Sequence, residues 1–154
     1  MKFLKPKFWE SKNNILAILL RPISLLFYFL TALRKSLVSP KKFKIPIICV
    51  GNIYVGGTGK TPVSIMIANI LKTNNKKPAI IKKYYKDHED EHKLINNITN
   101  SLILNKNRVA AIEKAERENF DVGILDDGFQ DHTIEKTLNI ICFNNRQLIG
   151  NGLV

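Results

Sequence analysis

The run Gly56-Gly57-Thr58-Gly59-Lys60-Thr61 constrains this chain more than any other feature. It joins an apolar segment, Ile45–Val50, to a stretch of helical periodicity that opens at Lys60. Glycines in such a junction let backbone N–H groups turn inward around phosphate oxygens, and the helix N-terminus behind them adds positive potential. Lys60 is placed to reach the β- and γ-phosphates of a nucleotide, and the Thr61 hydroxyl to hold Mg²⁺. Pro62 suits the first helical turn, where its missing N–H costs nothing. The whole cradle is expected to run over Tyr54, Val55, Gly56, Gly57, Thr58, Gly59, Lys60 and Thr61. Tyr54 departs from the usual pattern, which has glycine there. A glycine-rich turn of purely structural purpose would leave Lys-Thr at the helix start unexplained.

Around this junction, short apolar runs alternate with helical segments. Strands are expected at Ile45–Val50, Pro78–Lys82, Ser101–Asn105, Val122–Leu125 and Leu138–Phe143, and helices at Lys60–Lys72, Asp90–Asn97 and Arg108–Glu118. Such alternation implies a parallel sheet covered on both faces, an α/β fold like that of the P-loop NTPases. A loop that binds Mg²⁺-nucleotide needs a carboxylate on a neighbouring strand. Val122-Gly123-Ile124-Leu125-Asp126-Asp127 supplies two acids at a strand's carboxyl end, where open α/β sheets place ligands. Asp126 or its neighbour is then a metal ligand, and the other orients Lys60 or an attacking hydroxyl. A surface turn at Asp127-Gly128 would account for one aspartate and not for the pairing with the glycine loop. The chain ends at Gly150-Asn151-Gly152-Leu153-Val154, where such a sheet would be expected to continue, so the domain over 45–154 reads as interrupted.

Residues 1–44 differ in character. An apolar stretch from Ile15 to Leu33 approaches the roughly 20 residues of a spanning helix, but Arg21-Pro22 places a charge and a helix breaker within it. Basic residues flank both ends, so they give no orientation. The first reading is a kinked helix in an anionic membrane interface, with Trp9, Phe27, Tyr28 and Phe29 as anchors. A single-pass anchor and a helix packed on the domain core are the alternatives, and no small-residue site suggests a cleavable leader. Lys and Arg outnumber Asp and Glu by 24 to 13, a net +11 that favours anionic partners without choosing among them. Cys49 and Cys142 sit in apolar runs and read as core thiols of a reducing compartment rather than as a cross-strand disulfide.

His88-Glu89-Asp90-Glu91-His92 formally satisfies the H-E-x-x-H pattern of zinc proteases. It follows a Lys- and Tyr-rich turn rather than lying within a long helix, and spacing suggests no third ligand. A solvated charged loop explains it as well.

The stretches VGNIYVGGTGKTP, NRVAAIEKA, DVGILDDGFQ and LIGNG occur in an order that resembles the tetraacyldisaccharide 4′-kinases, and the N-terminal KFW segment with its apolar helix matches as well. The resemblance implies ATP as phosphoryl donor, Mg²⁺ as metal, and a sugar hydroxyl of the lipid A disaccharide precursor as acceptor. It implies work at the cytoplasmic face of the inner membrane and no nucleic acid partner. The family's Gly-Asp-Glu-Pro stretch falls on Glu89-Asp90-Glu91-His92, which makes Asp90 the implied base. Lys60, Asp126 and Asp127 are the other implied catalytic groups, with Thr61 and Asp126 on the metal. Arg108 matches an Asp-Arg pair at its arginine and is an implied substrate-phosphate contact, and Gln130 is an implied substrate contact. Three departures stand out. The family's Gln-His is Gln130-Asp131 here, with His132 one place later; its Arg-Gly-Tyr turn appears as Lys83-Tyr84-Tyr85; and family members continue for roughly another domain. A membrane-linked ATPase switch is the rival reading, but the deviant loops of that class carry lysine before Gly-Gly, where this chain has Val55. A non-catalytic nucleotide-binding fragment is the third.

Overall fold

A computed structural model describes residues 15–52, 59–85 and 89–143. Its strands are β1 (Ile47–Gly51), β2 (Pro78–Lys83), β3 (Leu102–Asn105), β4 (Val122–Asp126) and β5 (Leu138–Ile141). They form one parallel sheet in the order β3-β2-β4-β1-β5. Helices α1 (Ile15–Leu19) and α2 (Arg21–Leu37) precede the sheet, and α3 (Lys60–Thr73), α4 (Glu89–Thr99) and α5 (Arg108–Arg117) are its crossovers. The α/β architecture expected from the alternation of runs is present, with each expected strand and helix found within a few residues of its expected ends.

The inner strands β1, β2 and β4 are buried on both faces, which is why they read as unbroken apolar runs, whereas edge strand β5 is partly exposed. Side-chain parity divides the core in two. Ile47, Cys49, Ala79, Ile81 and Leu125 face α5 and pack on Ala111, Ile112 and Ala115. Val50, Ile80 and Ile124 face the other way, onto Ala68 of α3 and Ile95 of α4. The same parity puts Lys82, next to last in β2, and Asp126, last in β4, on the α3/α4 side. Cys49 belongs to the first cluster and Cys142 to the second. The two thiols lie on opposite faces of the sheet and are free, as buried core groups. Burial pushes both thiols above their ordinary range.

Before the sheet, Pro22 sits in the first turn of α2, and the break at Leu20 separates α1 from α2. The helix is thus interrupted just before Arg21-Pro22. No residue of α2 is buried, and Leu25, Phe27, Tyr28 and Phe29 are all more than half exposed. That overturns the alternative of a helix packed on the domain core. Among the described residues no helix is long and apolar enough to cross a membrane. Trp9 and the KFW segment lie outside the described residues. Residues 41–45 are tied to the sheet domain: Lys41 bridges to Ile134 and pairs with Glu113, and the Lys44 N–H donates to Glu116.

Candidate nucleotide and metal site

In this strand order β1 crosses over β4 to reach β2, while β5 lies on the other flank of β1. The carboxyl ends of β1 and β4 thus form the switch point at which doubly wound sheets bind ligands. A cleft of about 320 Å³ opens there, lined among others by Gly59, Lys60, Thr61, Lys82, Asp126 and Asp127. Tyr54, Val55, Gly56, Gly57 and Thr58 of the expected cradle lie outside the described residues, as do His88 and the LIGNG stretch. Gly59 is described, and it caps α3 with φ +81°, a left-handed conformation that glycine adopts without strain. The glycine thereby turns the chain so that α3 starts at Lys60 with its N-terminus over the cleft.

Asp126 is the centre of the site. It is fully buried, and its Oδ2 accepts from Lys82 Nζ at 2.7 Å, while Oδ1 accepts from Ser64 Oγ at 3.2 Å. Thr61 Oγ1 lies 3.0 Å from Asp126 Oδ2 and 2.6 Å from Glu91 Oε1, and its single proton serves one carboxylate at a time. Lys82 Nζ also pairs with Glu91 Oε1 at 2.9 Å. Burial alone would push the Lys82 ammonium down, but Asp126 and then Glu91 outweigh it and hold its pKa above the ordinary lysine value.

Asp127 adopts φ 61°, uncommon for a residue with a side chain. Its N–H donates to the Val50 carbonyl at 2.9 Å, and its own carbonyl accepts from Arg108 Nη2 at 2.7 Å. So fixed, its carboxylate stands 3.6 Å from Lys60 Nζ. Arg108 reaches on to Asp131, 3.6 Å away. Asp131 accepts from the Thr133 N–H and hydroxyl; burial would raise its pKa, but these bonds and Arg108 hold it below the usual aspartate value. Arg108 and Lys83 line both the main cleft and a shallower one beside it, to which Lys106 and Asp131 also contribute.

Lys60, Thr61, Asp126, Asp127 and Arg108 are thus brought together. Asp90 and Gln130 are not: both are exposed and neither lines the cleft. His132, one place beyond the family's histidine position, is exposed too. On α4 it is Glu91, one residue after Asp90, that enters the cluster. Glu91, Ile95 and Thr99 fall on one stripe at helical spacing, and Ile95 and Thr99 are buried. Helical phase therefore points Glu91, not Asp90, toward α3. His92 is buried and stacks on Tyr84, with ring centroids 5.9 Å apart. That is a packing position. Among the described residues no group of three or more acids, cysteines and histidines forms a metal cluster on its own.

The oxygens of Thr61, Asp126 and Glu91 nevertheless suit one hard cation shared with phosphate. Adjacent ligands of octahedral Mg²⁺ at about 2.1 Å stand about 3.0 Å apart. The Thr61 hydroxyl meets the two carboxylates at 2.6 and 3.0 Å.

A family model, LpxK or tetraacyldisaccharide-1-P 4′-kinase, matches residues 16–154. The chain belongs to this family. A tetraacyldisaccharide 4′-kinase of Pelagibacter ubique is 46% identical over 154 residues, which cover 99% of this chain and 48% of that protein. One of Rickettsia canadensis is 36% identical over 169 residues, covering all of this chain and 52% of that protein. Among solved structures, LpxK of Aquifex aeolicus, described as an "apo" form in complex with ATP, superimposes with a TM-score of 0.69 at 27% identity. That match covers 86% of this chain and 50% of the other. The chain therefore spans about half the length of the curated relatives it matches.

Proposed function

We propose that this chain carries the nucleotide half-site of a lipid A 4′-kinase, binding Mg²⁺·ATP and transferring its γ-phosphoryl group to the 4′-hydroxyl of tetraacyldisaccharide 1-phosphate. The observation that carries the reading is the convergence of Lys60, Thr61, Asp126 and Glu91 at the switch point, under the N-terminus of α3. The ATP-bound relative of the same fold and the family membership support it.

In the reaction, the acceptor hydroxyl oxygen bonds to the γ-phosphorus as the bond to the β–γ bridging oxygen breaks, and ADP leaves. Little covalent work falls to the protein, so positioning and charge neutralisation dominate. Lys60, steadied by Asp127, neutralises the transferring oxygens, and the N–H groups at the start of α3 add to this. Thr61, Asp126 and Glu91 are the residues that would hold Mg²⁺, which when bound supplies charge for the β- and γ-oxygens. Asp90 is assigned the acceptor's proton by family resemblance; it is exposed at the start of α4 and takes no part in the Lys82 cluster. Arg108, with Lys83 in the neighbouring cleft, offers cations for the acceptor's own phosphate, and Gln130 is assigned a substrate contact by resemblance alone.

The exposed apolar surface of α1 and α2 fits delivery of this site to an amphiphilic acceptor at the cytoplasmic face of the inner membrane. Incubation of the chain with γ-labelled ATP and the lipid disaccharide tests the whole reading. Label on the lipid with wild type and none with Lys60→Ala is the expected result. ATP hydrolysis indifferent to lipid would instead favour the ATPase-switch reading.

A further inference from the structure

Lys82 is a cation inside the cluster just assigned to a metal, and the nucleotide reading gives it no task. It is only 10% exposed, and its Nζ lies 2.7 Å from Asp126 Oδ2 and 2.9 Å from Glu91 Oε1. These are the same two oxygen atoms that Thr61 Oγ1 meets. An ammonium and a divalent ion cannot both use them at full strength. Without a metal, two carboxylates sharing one hydroxyl would repel each other, and fully buried Asp126 would lack a counter-charge. The ammonium supplies that charge from β2, whose register with β4 (Ile81 beside Leu125) carries on to set Lys82 alongside Asp126.

We propose that Lys82 is the resident cation of the metal position: it holds Asp126 and Glu91 together before nucleotide arrives and competes with a divalent ion for their oxygens. The inference rests on the nucleotide reading above and adds an order of events to it. Bare Mg²⁺ meets a site already neutralised and binds weakly. Mg²⁺ arriving with nucleotide brings phosphates, and the displaced ammonium, which lines the same cleft, finds a new anionic partner there. Lys82 acts through the carboxylates, so it is a positioning residue that couples metal affinity to nucleotide.

The test is binding of Mn²⁺ alone, followed by loss of the free-ion paramagnetic resonance signal. It uses the 154-residue chain and its Lys82→Met, Lys82→Gln and Lys82→Arg variants. Removing the competing charge is expected to tighten Mn²⁺ binding without nucleotide by about tenfold or more in both neutral variants, while Lys82→Arg stays near wild type. Equal or weaker binding in the neutral variants overturns the proposal. Should they unfold without metal, millimolar Mn²⁺ must restore their circular dichroism; failure to do so also overturns it. Loss of Mn²⁺·ATP binding by wild type would strike the nucleotide reading itself, whereas normal Mn²⁺·ATP binding with unchanged bare-metal affinities would strike only the role of Lys82.

Discussion

Replacing Asp126 by Asn removes the charge at the centre of the site while keeping the side chain's shape. Lys82 and Asp126 are 10% and 0% exposed, so solvent does not screen their attraction away. Glu91, at 34%, stands at the solvent edge, and its share must be discounted. Breaking a buried pair from one side costs about 3–5 kcal/mol; with Glu91 left as a partial partner, the low end, about 3 kcal/mol, is expected. For a domain of this size that lowers the melting temperature by on the order of 10 °C. Because the folded pKa of Lys82 stands above its ordinary 10.5, the stabilisation is fully present below that value and is lost only as pH rises through the folded pKa. The gap between wild type and Asp126→Asn should therefore stay constant across neutral pH. Adding Lys82→Met to Asp126→Asn removes the stranded ammonium and should recover about half of the loss or more. Differential scanning calorimetry of the four proteins measures the cycle. A single-mutant cost under about 1 kcal/mol, or a double mutant that loses the full sum, would refute a coupled buried pair.

Other outcomes follow from neighbouring parts of the fold. Asn107 caps α5 by accepting from the Val109 and Ala110 N–H groups, so Asn107→Ala should cost about 1 kcal/mol in denaturant unfolding and leave nucleotide binding unchanged. Asp131 has a lowered pKa, so its contribution is present above its unfolded value near 3.8 and is lost as pH falls through the folded value. The melting-temperature difference between wild type and Asp131→Asn should accordingly hold at neutral pH and close only in acid below 3.8. Replacing Phe27, Tyr28 and Phe29 together by Ser should weaken sedimentation with anionic vesicles by about tenfold or more without changing the melting transition of the sheet domain, since all three are exposed. Unchanged vesicle binding would remove α2 as the membrane contact.

The sheet was legible because both of its faces are covered: Ile-rich runs of four to six residues can only be buried strands when helical segments separate them. The glycine junction and Asp126-Asp127 were legible as candidates for chemistry, since each has a residue type that packing alone would not choose. Lys82 was not, because a lysine in a lysine-rich chain looks like surface; only strand parity, counted from Ile80, turns it onto the α3/α4 face beside Asp126. Glu91 was hidden by its neighbour. The resemblance pointed to Asp90, but the stripe Glu91-Ile95-Thr99 carried the helical phase that selects the other acid. Ser64 was overlooked for the same reason: it shares the inner face of α3 with Thr61 and Ala68, and a small polar residue on such a face is explained only once a buried carboxylate is known to sit opposite.

The most direct measurement is equilibrium binding of Mg²⁺·ATP to the chain by titration calorimetry, comparing wild type with Lys60→Ala. A lysine bonded to phosphate oxygens contributes roughly 1.5–3 kcal/mol, so Lys60→Ala should weaken binding by about ten- to a hundredfold while the fold, followed by circular dichroism, is kept. Equal affinity in the two proteins, or no binding to wild type, would contradict a phosphate cradle at the start of α3.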